Sequence, residues 1–532
     1  MDSNKLKTLL VIIIAAFGAI FLGVSAATAQ MEAIAWEGGV LCFVLLLALG
    51  RNVWVLIPLS LCLSGGLNFL PGSPATWYIA TPIVVGFMLL RFLSRSRDFI
   101  WRWTWMETLV LLNLLLLIQT YLRNPTGLLI FGSSGGMIGG KAYLDFLIAT
   151  VGFFVLGAVR TEWKTVRIVL YLCVGIRVCD GLLSAATGFS STIAGAAARV
   201  YGNVDYAAAI IGMEGAVGQG LSYDLNTRFD NLAQIGLALG LLCCTFWRPL
   251  ASLNPFRPYR PALLLLALAA VLMSGFRSQL TRFAFIFIAG TLVRRKPMDL
   301  LFAAGMASLI LAIVLVGGLG SSLPRAAQRA LSFLPIGASE EVKHEGLESS
   351  QWRFKMWRLA LTTDRYIKNK LLGDGFGFTA AEFRLNTSSK VYLTEDEQMD
   401  FFMSKGSYHG FHVETIRFVG AAGLLVATCM LFVCAAKAWR LIRYFEGRPG
   451  WSALLFLCVP YLIEPIHYWF VFGSYRGMFL LYLLGAGMLK VLDNIRVQEL
   501  AAQPAEPTAQ LAATGRERWV PMAVRQRAAT GL

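Results

Sequence analysis

Charge is scarce in this chain: 15% of its 532 residues are Asp, Glu, Lys or Arg, where a soluble domain carries about a quarter. With 57% hydrophobic residues, that shortfall excludes an ordinary soluble fold and points to a membrane protein. Acids are scarcer than bases, 31 against 47, which leaves a net charge of +16. The bases cluster at the ends of apolar segments on one side, as membrane orientation signals do, so no nucleic-acid partner is expected. No cysteine lies in the one long polar loop, so no disulfide framework holds it, and no CxxC pair offers a zinc site. All nine cysteines fall in apolar segments and read as small buried hydrophobes. The acidic run Glu395-Asp396-Glu397 with Asp400 lacks the glycine and ligand spacing of a calcium loop and reads as solvated. These residues therefore suggest neither a zinc nor a calcium site.

Apolar runs are abundant. Those of about 17 to 25 residues can each cross some 30 Å of hydrocarbon as a helix. Hydropathy gives an all-α polytopic membrane protein of about fourteen spans. They are 8–27, 34–50, 53–70, 77–93, 105–121, 141–159, 165–186, 229–247, 261–275, 280–293, 298–318, 412–436, 451–472 and 475–492. The division is then eleven spans in 1–319, one long loop in 320–411, three spans in 412–492 and a tail in 493–532. The first span has Lys5, Lys7 and Ala27-Thr28-Ala29, as a signal peptide would, but its apolar run is long and reads as an uncleaved helix. With the N-terminus inside, every inside loop is basic, from Arg51 through Arg160 and Arg294 to Lys437 and Arg448. Both termini are then cytoplasmic and the long loop faces outward, the periplasmic side in a bacterial inner membrane. The Ala/Pro/Gln-rich tail from Ala501 reads as disordered.

Within the long loop, Ser349 or Ser350 is expected to cap a helix through Gln351–Leu361. Trp352, Met356 and Leu359 fall on one face of it, with Arg353 and Arg358 off that face. Such a helix could lie on the membrane surface with its tryptophans at headgroup depth. Asn369 to Phe378 holds three glycines in five residues. It reads as a tight turn under packed aromatics more readily than as a phosphate cradle.

The residues able to carry chemistry gather at the outward ends of the spans. The turn Ser274–Arg282 places Arg277 and Arg282 at the mouth of adjoining helices. With Arg199 or Arg228 from the segment 187–228, they could grip a lipid-linked diphosphate, since guanidinium forks bind phosphate oxygens bidentately. The same charges would stabilise a departing diphosphate. The plainer alternative is that they reach headgroups or pair with carboxylates. Of the four histidines, His409 and His412 stand where the loop meets a span. An imidazole titrating near ~6.5 suits removal of a proton from an acceptor hydroxyl; otherwise the pair anchors the loop. Arg177 and Asp180, at i, i+3 inside a span, read as an ion pair of structural or functional use. Glu464 and His467 share that spacing, in a helix that Pro460 and Pro465 would break to open a polar cavity.

Four stretches together resemble the O-antigen ligase and O-antigen (Wzy-type) polymerase superfamily of bacterial envelope enzymes. They are Ser274-Gly275-Phe276-Arg277-Ser278, the glycine-rich Asn369–Phe378 preceded by a helix with Arg353 and Trp357, Tyr408-His409-Gly410-Phe411 running on to Gly420-Ala421-Ala422-Gly423, and Asn231-Leu232-Ala233. The resemblance covers roughly residues 195 to 430. Gly410 departs from the family's Asn, and Asn231 lacks the preceding proline. The resemblance implies a GT-C-like glycosyltransferase using an undecaprenyl-diphosphate-linked glycan donor, with no metal and no soluble cofactor. In it Arg277 engages the diphosphate, with Arg228 or Arg199 as a second arginine and Arg282 and Arg353 as further candidates, and His409 assists the acceptor. The acceptor is another glycan, for an O-antigen or exopolysaccharide polymerase, or lipid A–core, for a ligase. Chain length and span count lean towards the polymerase, for which a chain-length regulator is a possible partner. A flippase of lipid-linked oligosaccharide is the alternative from another class; it would show internal repeats and midplane charges, and no clear repeat is present.

Overall fold

A computed structural model of the protein describes residues 46, 49–70, 73–94, 99–127, 139–202, 230–335, 339–377, 399–400, 402–403 and 406–502. In chain order its helices are α1 (Leu56–Leu61), α2 (Thr76–Leu93), α3 (Trp105–Arg123), α4 (Gly140–Gly157), α5 (Trp163–Phe189), α6 (Ser191–Val200), α7 (Asp230–Phe246) and α8 (Tyr259–Met273). They continue with α9 (Arg277–Val293), α10 (Pro297–Val316), α11 (Arg325–Ala330), α12 (Glu340–Thr362), α13 (Phe411–Tyr444), α14 (Trp451–Phe470) and α15 (Leu480–Ala502). One small antiparallel pair, β1 (Gly66–Leu67) with β2 (Tyr201–Gly202), is the sheet among the described residues.

Eight of these helices are long and apolar enough to cross a membrane: α2, α3, α4, α5, α10, α13, α14 and α15, the last reckoned from Tyr475. The protein is therefore an all-α polytopic membrane protein with eight candidate spans among the described residues, and the expected fourteen must be corrected. The spans 8–27 and 34–50 lie outside the described residues almost entirely, as do the possible signal peptide and the tail beyond 502. The stretch 53–70 is no single helix: a 3-10 turn Gly50–Val55 passes into α1, which stops at Leu61, and the chain turns into β1. The stretches 229–247, 261–275 and 280–293 form α7, α8 and α9, of 17, 15 and 17 residues. At 1.5 Å per residue these reach about 22 to 26 Å, short of the ~30 Å hydrocarbon core.

The bundle is built around α15. Of its apolar window 89% is buried, against 6% for α10, which stands at the edge with Leu301, Phe302 and Val316 exposed as a lipid-facing helix would have them. Most buried apolar side chains form one continuous core from Trp54 through Phe146 and Met430 to Phe479. Eight cysteines are described, all free; six are buried or half-buried, while Cys179 and Cys429 are exposed on the outer faces of α5 and α13.

The glycine-rich segment docks into a break in α13. At Gly420 the backbone turns to φ 75°, ψ −179°, outside the helical region. The freed groups pair with the segment: Ala421 N donates to Lys370 O at 2.8 Å and Ala422 N to Leu371 O at 3.2 Å. In return Asp374 N donates to Arg417 O at 2.8 Å and Gly375 N to Phe418 O at 3.1 Å. Glycine is required on both sides, because a Cβ on Gly420 would stand 2.1 Å from Leu371 O and one on Gly373 2.5 Å from Gly420 N. Phe376 packs beneath the segment against Phe146, Tyr143 and Phe418. The stretch is thus the tight turn under aromatics that its composition suggests.

Two further expectations are corrected. Helix α12 starts at Glu340 after Ser339, with Glu340 and Glu341 favourable at the positive end of its dipole. Ser349 and Ser350 lie inside it, and Ser350 Oγ donates back to Gly346 O at 3.1 Å instead of capping. Helix α14 runs unbroken through Pro460 and Pro465, as membrane helices permit when neighbours re-satisfy the backbone.

Candidate functional site

The first turn of α9, the body of α12, the start of α13 and the end of α14 meet, and the predicted residues sort themselves around that meeting. A short turn, Ser274 to Phe276 with Gly275 at φ 74°, delivers Arg277 as the first residue of α9. Arg277 donates from a terminal guanidinium nitrogen to Gly346 O of α12 at 3.0 Å. Arg353 lies two turns further along α12, on the same face as Gly346. Burial and the like charge of Arg277 hold its guanidinium below the ordinary value. No described carboxylate pairs with Arg353. Two cations near enough to feel each other's charge in a half-buried place favour an anion beside them.

The residue before Arg353 joins this pair to the histidines. Trp352 lies 6.0 Å from the His409 ring, which also contacts Phe402 at 5.2 Å and Phe472 at 6.2 Å. His409 is half-buried and holds φ 50°, a left-handed conformation uncommon for a side-chain-bearing residue and frequent at functional sites. Trp357 donates its indole N–H to Tyr408 O at 2.7 Å and lies 4.7 Å from the His412 ring, edge to face. His412 stacks at 6.0 Å on Trp469 with its Nδ1 buried and unbonded. The tryptophans of α12 thus pack on the loop–helix junction rather than at headgroups, because Trp352, Met356 and Leu359 form a local core with Met399, Met403 and Tyr408. Gly410 has a steric reason: a Cβ there would stand 2.7 Å from the Trp357 ring, so Asn does not fit.

Arg282 departs from its expected place. It lies within α9, not in the turn, and its guanidinium forms an ion pair with Glu464 of α14, both side chains largely buried. Glu464 lies 3.5 Å from His467 Nδ1, and His467 Nε2 faces Ser278 O at 3.4 Å. Arg282, Glu464 and His467 therefore form one buried cluster joining α9 to α14. A cavity of about 380 Å³ opens beside it, walled by Arg177, Arg282, Pro460 and Glu464 and otherwise mostly by apolar and tyrosine side chains. Arg177 and Asp180 are an ion pair at 3.5 Å, and Asp180 also accepts from the Tyr201 hydroxyl at 2.5 Å and from Ser64 N at 3.3 Å. Burial and that carboxylate push the Tyr201 hydroxyl up to about 12. Asp180 thus ties the β1–β2 corner to α5. Arg199 is exposed on α6, and Arg228 lies outside the described residues with most of 187–228. Of the acidic run, Asp400 is described, and it is paired rather than merely solvated: Tyr366 donates to it, and Arg365 does so at 2.9 Å.

No protein-family model matches this chain, and no curated protein matches it. The site must therefore be read from its own geometry. Two charged residues escaped the sequence reading. Glu414, buried one helical turn after Gly410, accepts from Ser474 Oγ at 2.9 Å and from Arg476 N at 3.3 Å, fixing the π-helical turn Tyr475–Phe479 that opens α15. Arg417 pairs with Asp374 at 3.5 Å and donates to Gly375 O at 3.3 Å, clamping the glycine-rich segment. Both are ionisable residues at the entrance of an apolar span, which was the available signal. Among the described residues no group of three or more His, Cys, Asp and Glu side chains could together hold a metal ion.

Proposed function

We propose that this multi-pass membrane protein is a glycosyltransferase that takes a glycan from an undecaprenyl-diphosphate donor and joins it to an acceptor hydroxyl on the periplasmic face of a bacterial inner membrane. The observation that carries the reading is the shared support of the two chemistries by α12: Arg277 donates to Gly346 O, two turns before Arg353, and Trp352 of the same helix packs on His409. In this reading the guanidinium pair binds the donor's diphosphate and stabilises it as it leaves. His409 accepts the proton of the attacking hydroxyl. The O–H bond breaks as the new glycosidic C–O bond forms, and the sugar–phosphate C–O bond breaks to release the lipid diphosphate. The resemblance to O-antigen ligases and polymerases supports the same roles. The lean towards a polymerase loses one of its two supports with the lower span count, and both acceptors remain within the reading. Envelope glycans from a deletion strain run on a gel test it. A polymerase deletion leaves single repeats on the acceptor, a ligase deletion leaves long chains on the carrier lipid, and unchanged glycans count against both.

A flippase of lipid-linked oligosaccharide is the second reading, and one observation favours it: the cavity among the helices has Arg177, Arg282 and Glu464 in its wall. Ionisable groups at depth are a mark of transport pathways. Proteoliposomes that move labelled lipid-linked oligosaccharide between leaflets without forming a new glycosidic bond would favour it over transfer.

A further inference from the structure

At the start of α3, remote from the glycine-rich segment that its other end touches, basic side chains crowd around two carboxylates. Asp493 of α15 is fully buried and pairs with Arg102, with Lys437 of α13 at 2.9 Å and with Arg496 at 2.9 Å. One turn earlier, Lys490 pairs with Glu107 of α3 at 2.6 Å and donates to Arg102 O at 2.6 Å. Arg440, three residues beyond Lys437 on α13, is exposed and pairs with no described carboxylate. Its charge bears on Lys437, as do those of Arg102, Arg496 and Lys490. Among the described residues Arg102, Lys437, Arg440, Lys490 and Arg496 thus stand against Asp493 and Glu107, five cations to two carboxylates, an excess of three positive charges.

Two features say what could balance them. The cluster is not sealed, since the side chains of Arg102 and Arg496 are 27% and 26% exposed. It also lies at the ends of three candidate spans, α3, α13 and α15. Trp101, Trp103 and Trp105 on either side of Arg102 are 72%, 60% and 74% exposed. Exposed tryptophans at the ends of spanning helices sit at headgroup depth, so an anion reaching this place from the membrane arrives as a headgroup. We propose that the cluster is a binding site for the phosphodiester of an anionic phospholipid. The open edges of Arg102, Arg440 and Arg496 hold its non-bridging oxygens, and the acyl chains lie along the apolar faces of the neighbouring helices. Guanidinium forks suit phosphate oxygens, and basic pockets between membrane helices are a recurrent form of lipid recognition. The site stands apart from the Arg277–His409 region and does not depend on its function.

The test uses the full-length protein purified in neutral detergent, with phosphatidylglycerol or phosphatidylcholine added and retained lipid read by native mass spectrometry. Phosphatidylglycerol should stay bound and phosphatidylcholine should not. The variant Arg440→Gln/Arg496→Gln leaves Asp493 with Arg102 and Lys437, and should weaken phosphatidylglycerol binding by roughly tenfold or more. Arg51→Gln/Arg257→Gln removes the same charge at two exposed positions elsewhere and should leave binding unchanged. If the double variant melts below the wild type, the exposed Arg440→Gln alone carries the test with a smaller loss. Equal retention of the two lipids, or equal loss in the control pair, overturns the site. Displacement of phosphatidylglycerol by millimolar inorganic phosphate would make a soluble anion the occupant and overturn the lipid assignment.

Discussion

Replacing Gly420 by alanine should detach the glycine-rich segment from α13. The new Cβ would meet Leu371 O at 2.1 Å, Leu371 C at 2.3 Å and Leu372 N at 2.5 Å. All three are backbone atoms, so no side-chain rotation relieves the overlap. The segment must back away, and the bonds from Ala421 N to Lys370 O and from Ala422 N to Leu371 O are lost with it. A non-glycine residue held at φ 75°, ψ −179° adds about 1–3 kcal/mol of strain. Each of the two displaced hydrogen bonds adds about 1 kcal/mol, for a total of about 3–5 kcal/mol. That is a large part of the ~5–15 kcal/mol by which proteins are stable. The assay is thermal or denaturant unfolding in detergent, with hydrogen exchange followed across 369–377. Gly86→Ala is the control: its Cβ meets nothing within 4 Å in mid-helix, and it should be neutral or gain about 0.5–1 kcal/mol. Gly373→Ala attacks the same contact from the other side, so the double variant should cost less than the sum of the singles. Wild-type stability and unchanged exchange in Gly420→Ala would refute the docking argument.

Arg282→Ala should destabilise the protein by about 3–5 kcal/mol, because it strands the buried Glu464 carboxylate. Arg282→Met with Glu464→Leu should recover most of that loss in an unfolding experiment. Trp357→Phe should cost about 1–2 kcal/mol, as the Tyr408 carbonyl loses its indole donor; detergent melting curves check it. Arg277→Ala and His409→Ala should each abolish glycan product in complemented deletion strains without lowering the amount of protein in the membrane, as gel and immunoblot would show. Normal product from both would discard the assignment of the site.

The eight spans were legible in the sequence because an apolar run of sufficient length has few other uses. The surplus came from reading polarity without helix length. Ser274-Gly275-Phe276 cuts one apolar stretch into α8 and α9, neither of which reaches the thickness of the bilayer core, and the chain leaves α1 after Leu61 for β1. Local pairs such as Arg177 with Asp180 and Glu464 with His467 were readable from i, i+3 spacing. Long-range ones were not: Glu464 is 182 residues from Arg282, so that arginine read as part of an outward turn. The meeting of Arg277 with α12 was hidden in the same way, because only the packed fold brings Gly346 and Arg353 to the first turn of α9. The step Gly420 to Gly423 was visible as a pattern. Its purpose was not, since the groups it accommodates lie about fifty residues upstream at Lys370 and Leu371.

Transfer of a glycan from a lipid diphosphate can be measured directly. Purified protein in detergent should be given a polyprenyl-diphosphate oligosaccharide labelled in its glycan, together with unlabelled acceptor. The expected result is label joined to the acceptor through a new glycosidic bond, with free lipid diphosphate released and neither product formed by the Arg277→Ala or His409→Ala variants. Label that remains on the carrier lipid in the presence of folded wild-type protein and either acceptor would contradict it.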